Sequence, residues 1–146
     1  MHNLDKFDMA IIAELRANGR LTNQELAERI GLSPSPCLRR VKSLEDNGII
    51  TGYQAIIDNE KMGLSLMALI HISMDKHTPE RFENFENSIA LLPEVLECLL
   101  ITGHTADYQL KVLVKDMHAY QDLLLHRITR IKGVSGVHSS FVLRRQ

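Results

Sequence analysis

Apolar residues in the first part of the chain recur at steps of three and four positions, the spacing of an amphipathic helix. Four of them share one face of a helix predicted over residues 4–18: Leu4, Phe7, Ile11 and Leu15. A short second helix is predicted after it, because Thr22 and Glu25 have the spacing of a capping box. Gly31 ends that second helix, and a third follows within a few residues.

The third helix is predicted to begin after Ser35, because the residue before Pro36 is pushed away from helical dihedral angles, and to end at Gly48. One side of this helix is apolar: Cys37, Leu38, Val41 and Leu44. The opposite side carries hydroxyl and basic groups: Ser35, Arg39, Lys42 and Ser43. A helix, a short helix, a glycine turn and a third helix with a basic face form a helix-turn-helix.

Two interpretations of this pattern stay open. One is a DNA-binding helix-turn-helix, and the other is a three-helix bundle whose basic face is merely solvated. The net charge of −1 gives no general attraction to nucleic acid. However, Arg39, Arg40 and Lys42 fall within four positions, and DNA binding requires positive charge only where the phosphates lie.

The pattern changes after Gly48. Residues 49–58 are rich in β-branched residues and predict a short hairpin, a wing, or a strand that links two domains. The polar stretch 58–63 is the best domain boundary. We therefore predict a DNA-binding domain over residues 1–52, a linking strand or hinge over 53–63, and a second domain over 64–146.

Alternating apolar residues predict strands over residues 64–74, 95–101, 108–114 and 134–143, and helical spacing predicts helices over 78–92 and 117–131. The order β-α-β-β-α-β is the ferredoxin-like arrangement, so the whole chain is expected to be α+β. Both helices of such a domain cover one face of the sheet. The other face, with Met67 and Leu69 or the alternate set, needs a cover, which predicts a dimer with its sheets face to face and larger assemblies.

Several short runs resemble the Lrp/AsnC, or feast/famine, family of transcription regulators, and the resemblance extends over the whole chain. The N-terminal runs are Leu4-Asp5-Lys6-Phe7-Asp8, Asn18-Gly19-Arg20-Leu21-Thr22-Asn23-Gln24-Glu25-Leu26, Ser33-Pro34-Ser35-Pro36-Cys37-Leu38-Arg39-Arg40-Val41 and Leu44-Glu45-Asp46-Asn47-Gly48-Ile49-Ile50. The C-terminal runs are Pro93-Glu94-Val95, Thr102-Gly103, Asp107-Tyr108 and Ser139-Ser140-Phe141-Val142-Leu143.

The resemblance implies an N-terminal winged helix-turn-helix and a C-terminal ferredoxin-like domain that binds ligands and forms oligomers. It implies double-stranded DNA as a partner, an amino acid as the effector, and homodimers that assemble further, commonly into an octamer. The predicted function is a sequence-specific DNA-binding transcriptional regulator whose assembly or DNA affinity responds to the effector. The alternative is an architectural, weakly specific DNA-compacting oligomer that binds amino acids.

Seven residues are candidates for DNA contact: Ser33, Ser35, Pro36, Arg39, Arg40, Lys42 and Ser43. Arg39 points most directly outward, and arginine paired with guanine is the commonest specific contact in the major groove. Arg40 lies at the edge, as a phosphate contact or a solvated charge. Lys42 serves a phosphate or pairs with Asp46. The serine hydroxyls suit phosphates, and Pro36 suits a thymine methyl group or simply fixes the helix start.

Nine residues are candidates for effector binding: Thr102, Gly103, His104, Thr105, Ala106, Asp107, Tyr108, Ser139 and Ser140. The loop of small residues would bind a zwitterion, with backbone N–H groups on its carboxylate and Asp107 on its ammonium. The alternative is a plain strand connection in which Asp107 forms a local turn bond. Members of the family usually have two residues between the glycine and the aspartate, whereas three separate Gly103 from Asp107 here, so a different loop shape or ligand preference is expected.

Other chemistry receives little support from the sequence. The seven histidines lack metal-ligand spacing and no catalytic constellation stands out, so we predict no metal, no cofactor other than the effector, and no enzyme. Cys37 and Cys98 are expected to be buried thiols. No apolar run is long enough to span a membrane and the first residues lack a secretory signal, which predicts a cytoplasmic protein without a membrane partner. The chain ends at Gln146, where relatives usually continue, and weaker assembly or altered access to the effector cleft is expected.

Overall fold

The computed structural model describes residues 3–103 and 105–144, and the chain divides into two compact units, Met1–Ile57 and Asp58–Gln146. The division falls inside the segment 53–63, where the sequence predicts a linker. The exact domain limits stay a prediction. Each unit has a hydrophobic core of its own.

The N-terminal unit contains three α-helices: α1 (Lys6–Ala17), α2 (Asn23–Ile30) and α3 (Pro34–Asp46). Each helix contributes at least one residue to a small common core: Ile11, Leu26, Ala27, Cys37 and Leu44. Val41 and Leu15 pack against this core from positions that the helical spacing predicts. The three helices and their order confirm the predicted helix-turn-helix fold.

Local hydrogen bonds fix the ends of α1 and α2. Asp5 accepts bonds from the backbone N–H groups of Phe7 at 2.8 Å and Asp8 at 3.0 Å. The predicted capping box of α2 is present: the hydroxyl of Thr22 accepts from the Glu25 N–H at 3.2 Å, and the Glu25 carboxylate accepts from the Thr22 N–H at 2.8 Å. Gly31 ends α2 with φ +73°, a left-handed conformation that glycine adopts without strain.

Helix α3 begins earlier than the sequence predicts. Ser33 is the N-cap residue in an extended conformation, Pro34 is the first helical residue, and the Cys37 N–H donates to the Ser33 carbonyl at 3.2 Å. The prediction of Ser35 as cap was wrong because the restriction before a proline acts on Ser33 as well. Pro36 then falls in the first turn, where the missing N–H leaves no intrahelical bond unmade.

Leu38 is a second difference between the predicted and the observed α3. It was placed on the apolar side, but its side chain is 57% exposed, whereas Cys37 and Leu44 are buried. A rotation of about 100° per residue separates Leu38 from Cys37, and the two other helices cover only the narrow sector around Cys37 and Leu44. The buried side of α3 is therefore narrower than a full amphipathic stripe.

No strand is present among residues 47–65, so the predicted hairpin or linking strand is wrong for the single chain. The segment 51–57 runs without ladder hydrogen bonds, because a strand forms only where a second strand pairs with it. The hydroxyl of Tyr53 donates to the Glu45 carboxylate at 2.8 Å, which connects the segment to the end of α3.

The C-terminal unit contains a four-stranded antiparallel sheet with the strand order β2-β3-β1-β4. Its strands are β1 (Leu66–Met74), β2 (Val95–Leu100), β3 (Tyr108–Val114) and β4 (Val134–Phe141). Two helical regions cover one face of the sheet: α4 (Pro79–Ala90), and α5 (Met117–Asp122) continued by a π-helical segment (Leu123–Ile128). This architecture confirms the predicted ferredoxin-like fold.

The core of this unit lies between the helices and one face of the sheet. Alternate residues of β1 and β3 face it, as the alternation predicts: Ala68, Ile70, Ile72, Met74, Tyr108, Leu110, Val112 and Val114. The helices contribute Phe85, Ile89, Tyr120, Leu123 and Ile128. Met67 and Leu69 are half-buried and lie on the opposite face, which none of the described helices of this unit covers.

The last helical region is not the single α-helix that the sequence predicts over residues 117–131. It widens into the π-helical segment, where the Thr129 N–H donates to the Leu124 carbonyl at 3.0 Å across five residues. Leu123 and Ile128, five positions apart, are both buried as a result. An α-helical period cannot predict this spacing, because the widened turn shifts which residues face the core.

Candidate functional site

The outward face of α3 is the first candidate site. The structure places five of the seven predicted DNA-contact residues at exposed positions on or just before this helix: Ser33, Ser35, Arg39, Lys42 and Ser43. Pro36 is half-buried. The Ser33 side chain makes no capping bond. Hydroxyl groups and basic groups therefore lie side by side on one surface.

Arg39 and Lys42 supply the positive charge of this surface. Within residues 3–103 and 105–144, neither side chain forms an ion pair, and the predicted pairing of Lys42 with Asp46 is not formed. Their charges face solvent without compensation. This is the state expected of groups that meet phosphates or base edges.

Arg40 differs from its neighbour Arg39. Its guanidinium contacts the carboxylates of Asp5 and Asp8, both at 2.8 Å, and lies 5.3 Å from the centre of the Phe7 ring. Hydrogen bonds to Asp8 and Asp5 raise the pKa of Arg40. The pKa of Asp5 is lowered, first by the backbone N–H of Asp8 and further by Arg40. Arg40 therefore connects α3 to the start of α1 and fixes how α3 is presented.

The second candidate site is the loop 101–107, between β2 and β3. Asp107 anchors its end: the Asp107 N–H donates to the Ile72 carbonyl at 2.8 Å, and Asp107 Oδ2 accepts from the Met74 N–H at 2.7 Å. Asp107 Oδ1 lies 2.8 Å from His77 Nε2. Both carboxylate oxygens therefore bond to groups that are distant along the chain, and neither makes the local turn bond of the alternative interpretation.

A cavity of about 400 Å³ lies between this loop and the face of the sheet that the helices leave uncovered. It is lined by His71, Ser73, Thr105, Ala106, Gly136, Val137 and His138. The hydroxyl of Ser73 donates to the Thr105 carbonyl at 3.3 Å, which holds the loop against β1. The cavity offers hydroxyl, imidazole and backbone groups beside small side chains.

The nine predicted effector residues do not all meet at this cavity. Thr105 and Ala106 line it, Thr102 and Gly103 are exposed elsewhere on the loop, and His104 lies outside the described residues. The cavity residues that sequence reasoning missed are His71, Ser73, Gly136, Val137 and His138.

Tyr108, Ser139 and Ser140 take different positions around the sheet. Tyr108 is buried against the helices, and its hydroxyl donates to Glu86 Oε1 at 2.6 Å, while burial raises its pKa. Ser139 faces the same side and accepts a hydrogen bond from the Tyr120 hydroxyl. Ser140 is exposed and pairs with Leu69, so it lies on the uncovered face. Successive side chains of a strand point to opposite faces of the sheet, and this alternation is the sequence signal that places Ser139 and Ser140 on different faces.

Residues 3–103 and 105–144 contain no group of three or more His, Cys, Asp and Glu side chains that could hold a metal ion. Both cysteines are free thiols, and burial raises the pKa of Cys98 to about 11. None of the described helices has the length and apolar character needed to cross a membrane.

Both units match known protein families. Residues 4–51 match the winged helix-turn-helix DNA-binding family, and residues 67–146 match the Lrp/AsnC ligand binding domain. The Bkd operon transcriptional regulator of Pseudomonas aeruginosa is 40% identical over 99% of this chain and 94% of its own length. The leucine-responsive regulatory protein of Escherichia coli is 40% identical over 97% of this chain and 85% of its own length.

Solved structures agree with these matches. A transcriptional regulator from Neisseria meningitidis, crystallised as a complex with L-methionine, superposes with a TM-score of 0.93 and 45% identity over 97% of this chain and 91% of its own. An AsnC family regulator from Agrobacterium tumefaciens superposes with a TM-score of 0.91 and 30% identity, over 97% of this chain and 92% of its own. The chain belongs to the Lrp/AsnC family of DNA-binding transcriptional regulators, which are not enzymes.

Proposed function

We propose that this protein is a sequence-specific DNA-binding transcriptional regulator whose DNA affinity or assembly changes when an amino acid binds to its C-terminal unit. The observation that carries the proposal is the exposed face of α3, on which Arg39 and Lys42 stand without partners among the described residues. The relatives named above are regulators of transcription, which favours this function over the architectural alternative. A protein that binds chromosomal DNA is expected in the cytoplasm.

Arg39 is proposed to read base edges, and Lys42 with the serine hydroxyls to contact phosphates. Helix-turn-helix proteins insert the N-terminal part of this helix into the major groove, where arginine pairs with guanine. Arg40 supports this arrangement from inside the unit, because its ion pairs with Asp5 and Asp8 hold α3 against α1.

The test compares Arg39→Ala and Lys42→Ala on two duplexes: one selected from a random library by the wild-type protein, and a random duplex of equal length. We expect Arg39→Ala to weaken binding to the selected duplex about 5- to 150-fold and to change binding to the random duplex much less. Lys42→Ala should weaken both equally. Arg16→Ala, an exposed arginine of α1, is the matched control. If Arg39→Ala loses the same factor of affinity for both duplexes, the result would support the architectural alternative.

The effector is proposed to be an amino acid that occupies the cavity beside the loop 101–107. An α-amino acid suits a site that is lined by the Ser73 hydroxyl and the His138 imidazole beside the small side chain of Ala106. Asp107 acts by holding the loop in place through Met74 and His77. L-methionine and L-leucine are the first ligands to test, because relatives are crystallised with the one and named for the other.

A thermal-shift screen of the twenty amino acids tests this site. At least one amino acid should raise the unfolding temperature, because a ligand that binds only the folded state stabilises it. His138→Ala and Asp107→Ala should abolish the shift, whereas His118→Ala, an exposed histidine of α5, should retain it. The absence of a shift with all twenty amino acids would reject the effector proposal.

Assembly is proposed to connect the two sites. The face of the sheet that carries Met67 and Leu69 lacks a covering helix, so a second copy is proposed to bury these two side chains and to bring two α3 helices to one DNA. Pairs are proposed to form a larger ring, with an octamer as the expected state. An effector can shift this assembly only if it binds one state more tightly than the other.

The mass in solution tests this part. Light scattering should give at least the mass of a dimer for the wild type. Leu69→Lys should give the mass of a monomer, because it would bury a charge in the proposed contact between the two copies. Leu125→Lys is the matched control on the helical side of the sheet. A monomeric wild type, or a Leu69→Lys variant that keeps the mass of the wild type, contradicts the proposed dimer.

A further inference from the structure

Leu38 is the one large apolar side chain of α2 and α3, both of which are fully described, that is more than half exposed. It makes no contribution to the core of the N-terminal unit, although the same helix buries Cys37 and Leu44. A leucine in this position adds nothing to the hydrophobic core of the unit and leaves apolar surface in contact with water. It lies among the polar groups of the outward face of α3.

The neighbours of Leu38 belong to the DNA-contact surface. Ser35 lies three positions before it and Lys42 four positions after it, so all three share one ridge of the helix. Arg39 follows directly and is also exposed. Leu38 lies in the N-terminal half of α3, the part that a helix-turn-helix protein inserts into the major groove.

We propose that Leu38 contacts the C5-methyl group of a thymine and thereby selects thymine at one position of each half-site. This inference rests on the proposed DNA-binding function and makes it more specific. The thymine methyl is the only apolar group that a standard base pair presents in the major groove, so a leucine cannot pair with any other base edge. Arg39 beside it would read a neighbouring guanine, and the two side chains together would specify adjacent base pairs.

Deoxyuridine provides the test, because it keeps the hydrogen-bonding groups of thymine and lacks only the methyl. The probe is the duplex selected from a random library by the full-length protein, with each thymine replaced in turn by deoxyuridine. For the wild type, replacement at one position of each half-site should weaken binding about fourfold, because the free energy of burying one methyl group is lost. For Leu38→Ala, the same replacement should have no effect.

Controls separate this role from others. Leu125→Ala, which removes an equally exposed leucine from the other unit, should keep the full response to deoxyuridine. Leu38→Ala should keep the unfolding temperature and the mass in solution of the wild type, since Leu38 lies outside the core. A changed mass would assign Leu38 to a contact between copies and overturn the inference.

Two further outcomes also overturn it. One is a selected duplex in which no thymine responds to the loss of its methyl, and the other is a response that persists in Leu38→Ala. Both leave the DNA-binding proposal intact if Arg39→Ala still loses its preference for the selected duplex. Failure of the library to yield any preferred duplex would instead reject the proposed sequence-specific function.

Discussion

The two units of the chain are built over different distances along the sequence. In the N-terminal unit, bonds between residues two or three positions apart fix the start of α1 and α2, as with Asp5 and Thr22. In the C-terminal unit, the central strand β1 pairs on one side with β3 and on the other with the end of the chain, where Ala68 meets Phe141. Local bonds therefore set the helix ends of the first unit, whereas distant bonds build the sheet of the second.

This difference also separates the two candidate sites. The DNA-contact surface lies on one helix, so the helical period alone places Arg39 and Lys42 side by side. The effector cavity draws on the loop 101–107, on β1 and on β4, which meet only after the sheet has formed. A site on a single helix depends on one local structure, whereas a site on a sheet depends on the register of several strands.

The comparison predicts that each core can be damaged without the other. Phe85→Ala removes a buried ring that packs at 4.6 Å from the ring of Tyr108, and should lower the free energy of unfolding of the C-terminal unit by about 3–5 kcal/mol. Amide hydrogen exchange should show faster exchange in β1 and β3, while the amides of α1 and α3 keep their protection.

Ile11→Ala is the reciprocal variant, because Ile11 is the buried residue that α1 contributes to the N-terminal core. It should lower the free energy of unfolding of the N-terminal unit by about 2–5 kcal/mol. The amides of α1 and α3 should then exchange faster, while those of β1 and β3 keep their protection. If either variant accelerates exchange equally in both units, the chain unfolds as one cooperative body and the comparison fails.

The features that could be predicted from the sequence follow the same division. Local signals predicted the capping box of Thr22 and the end of α2 at Gly31, because such signals act over three or four residues. Alternation predicted two distinct faces of β1 but left open which of them would be buried. The start of α3 was missed because two nearby prolines both suit a first turn, and the π-helical segment was missed because its five-residue spacing has no counterpart in an α-helical pattern.

The candidate sites show a similar limit. The spacing in α3 predicted which face carries Arg39, but not that Leu38 would be exposed, since that depends on how little of α3 the other helices cover. The sequence grouped Ser139 with Ser140, although neighbouring residues of a strand point to opposite faces. His138 could not be assigned to the cavity without knowing that β4 pairs with β1 opposite His71.

Gly133 tests the tighter packing of the C-terminal unit. Its φ is +105°, and a Cβ there would lie 2.3 Å from Arg81 Cδ and 3.0 Å from the terminal methyl of Met74. Chemical denaturation should therefore show that Gly133→Ala lowers the free energy of unfolding by about 2–3 kcal/mol. The loss comes from backbone strain and from displacement of Arg81, whose Nε lies 3.0 Å from Asp75 Oδ1.

Gly63→Ala is the matched control for this variant. Gly63 also has a positive φ, of +76°, but a Cβ there would meet nothing within 4 Å. Backbone strain alone should cost about 1 kcal/mol. Equal losses for the two variants would show that the packing around Gly133 yields without cost, and that the C-terminal core is no tighter than its surface turns.

The smallest expected effect is the pH dependence of the N-terminal unit. The pKa of Asp5 is lowered from its ordinary value of 3.8, first by the backbone N–H of Asp8 and further by Arg40. A lowered folded-state pKa means that the ionised carboxylate stabilises the unit above about pH 4, and that this contribution is lost as the pH falls through the lower folded value.

Asp5→Asn keeps an oxygen for the helix cap but removes the charge. The wild type should therefore unfold at a higher temperature than Asp5→Asn at pH 6, and the difference should be smaller at pH 3. A gap of equal size at both pH values would mean that the difference comes from the cap and not from the charge facing Arg40. The effect is small because Asp5 is exposed to water, which screens its ion pair.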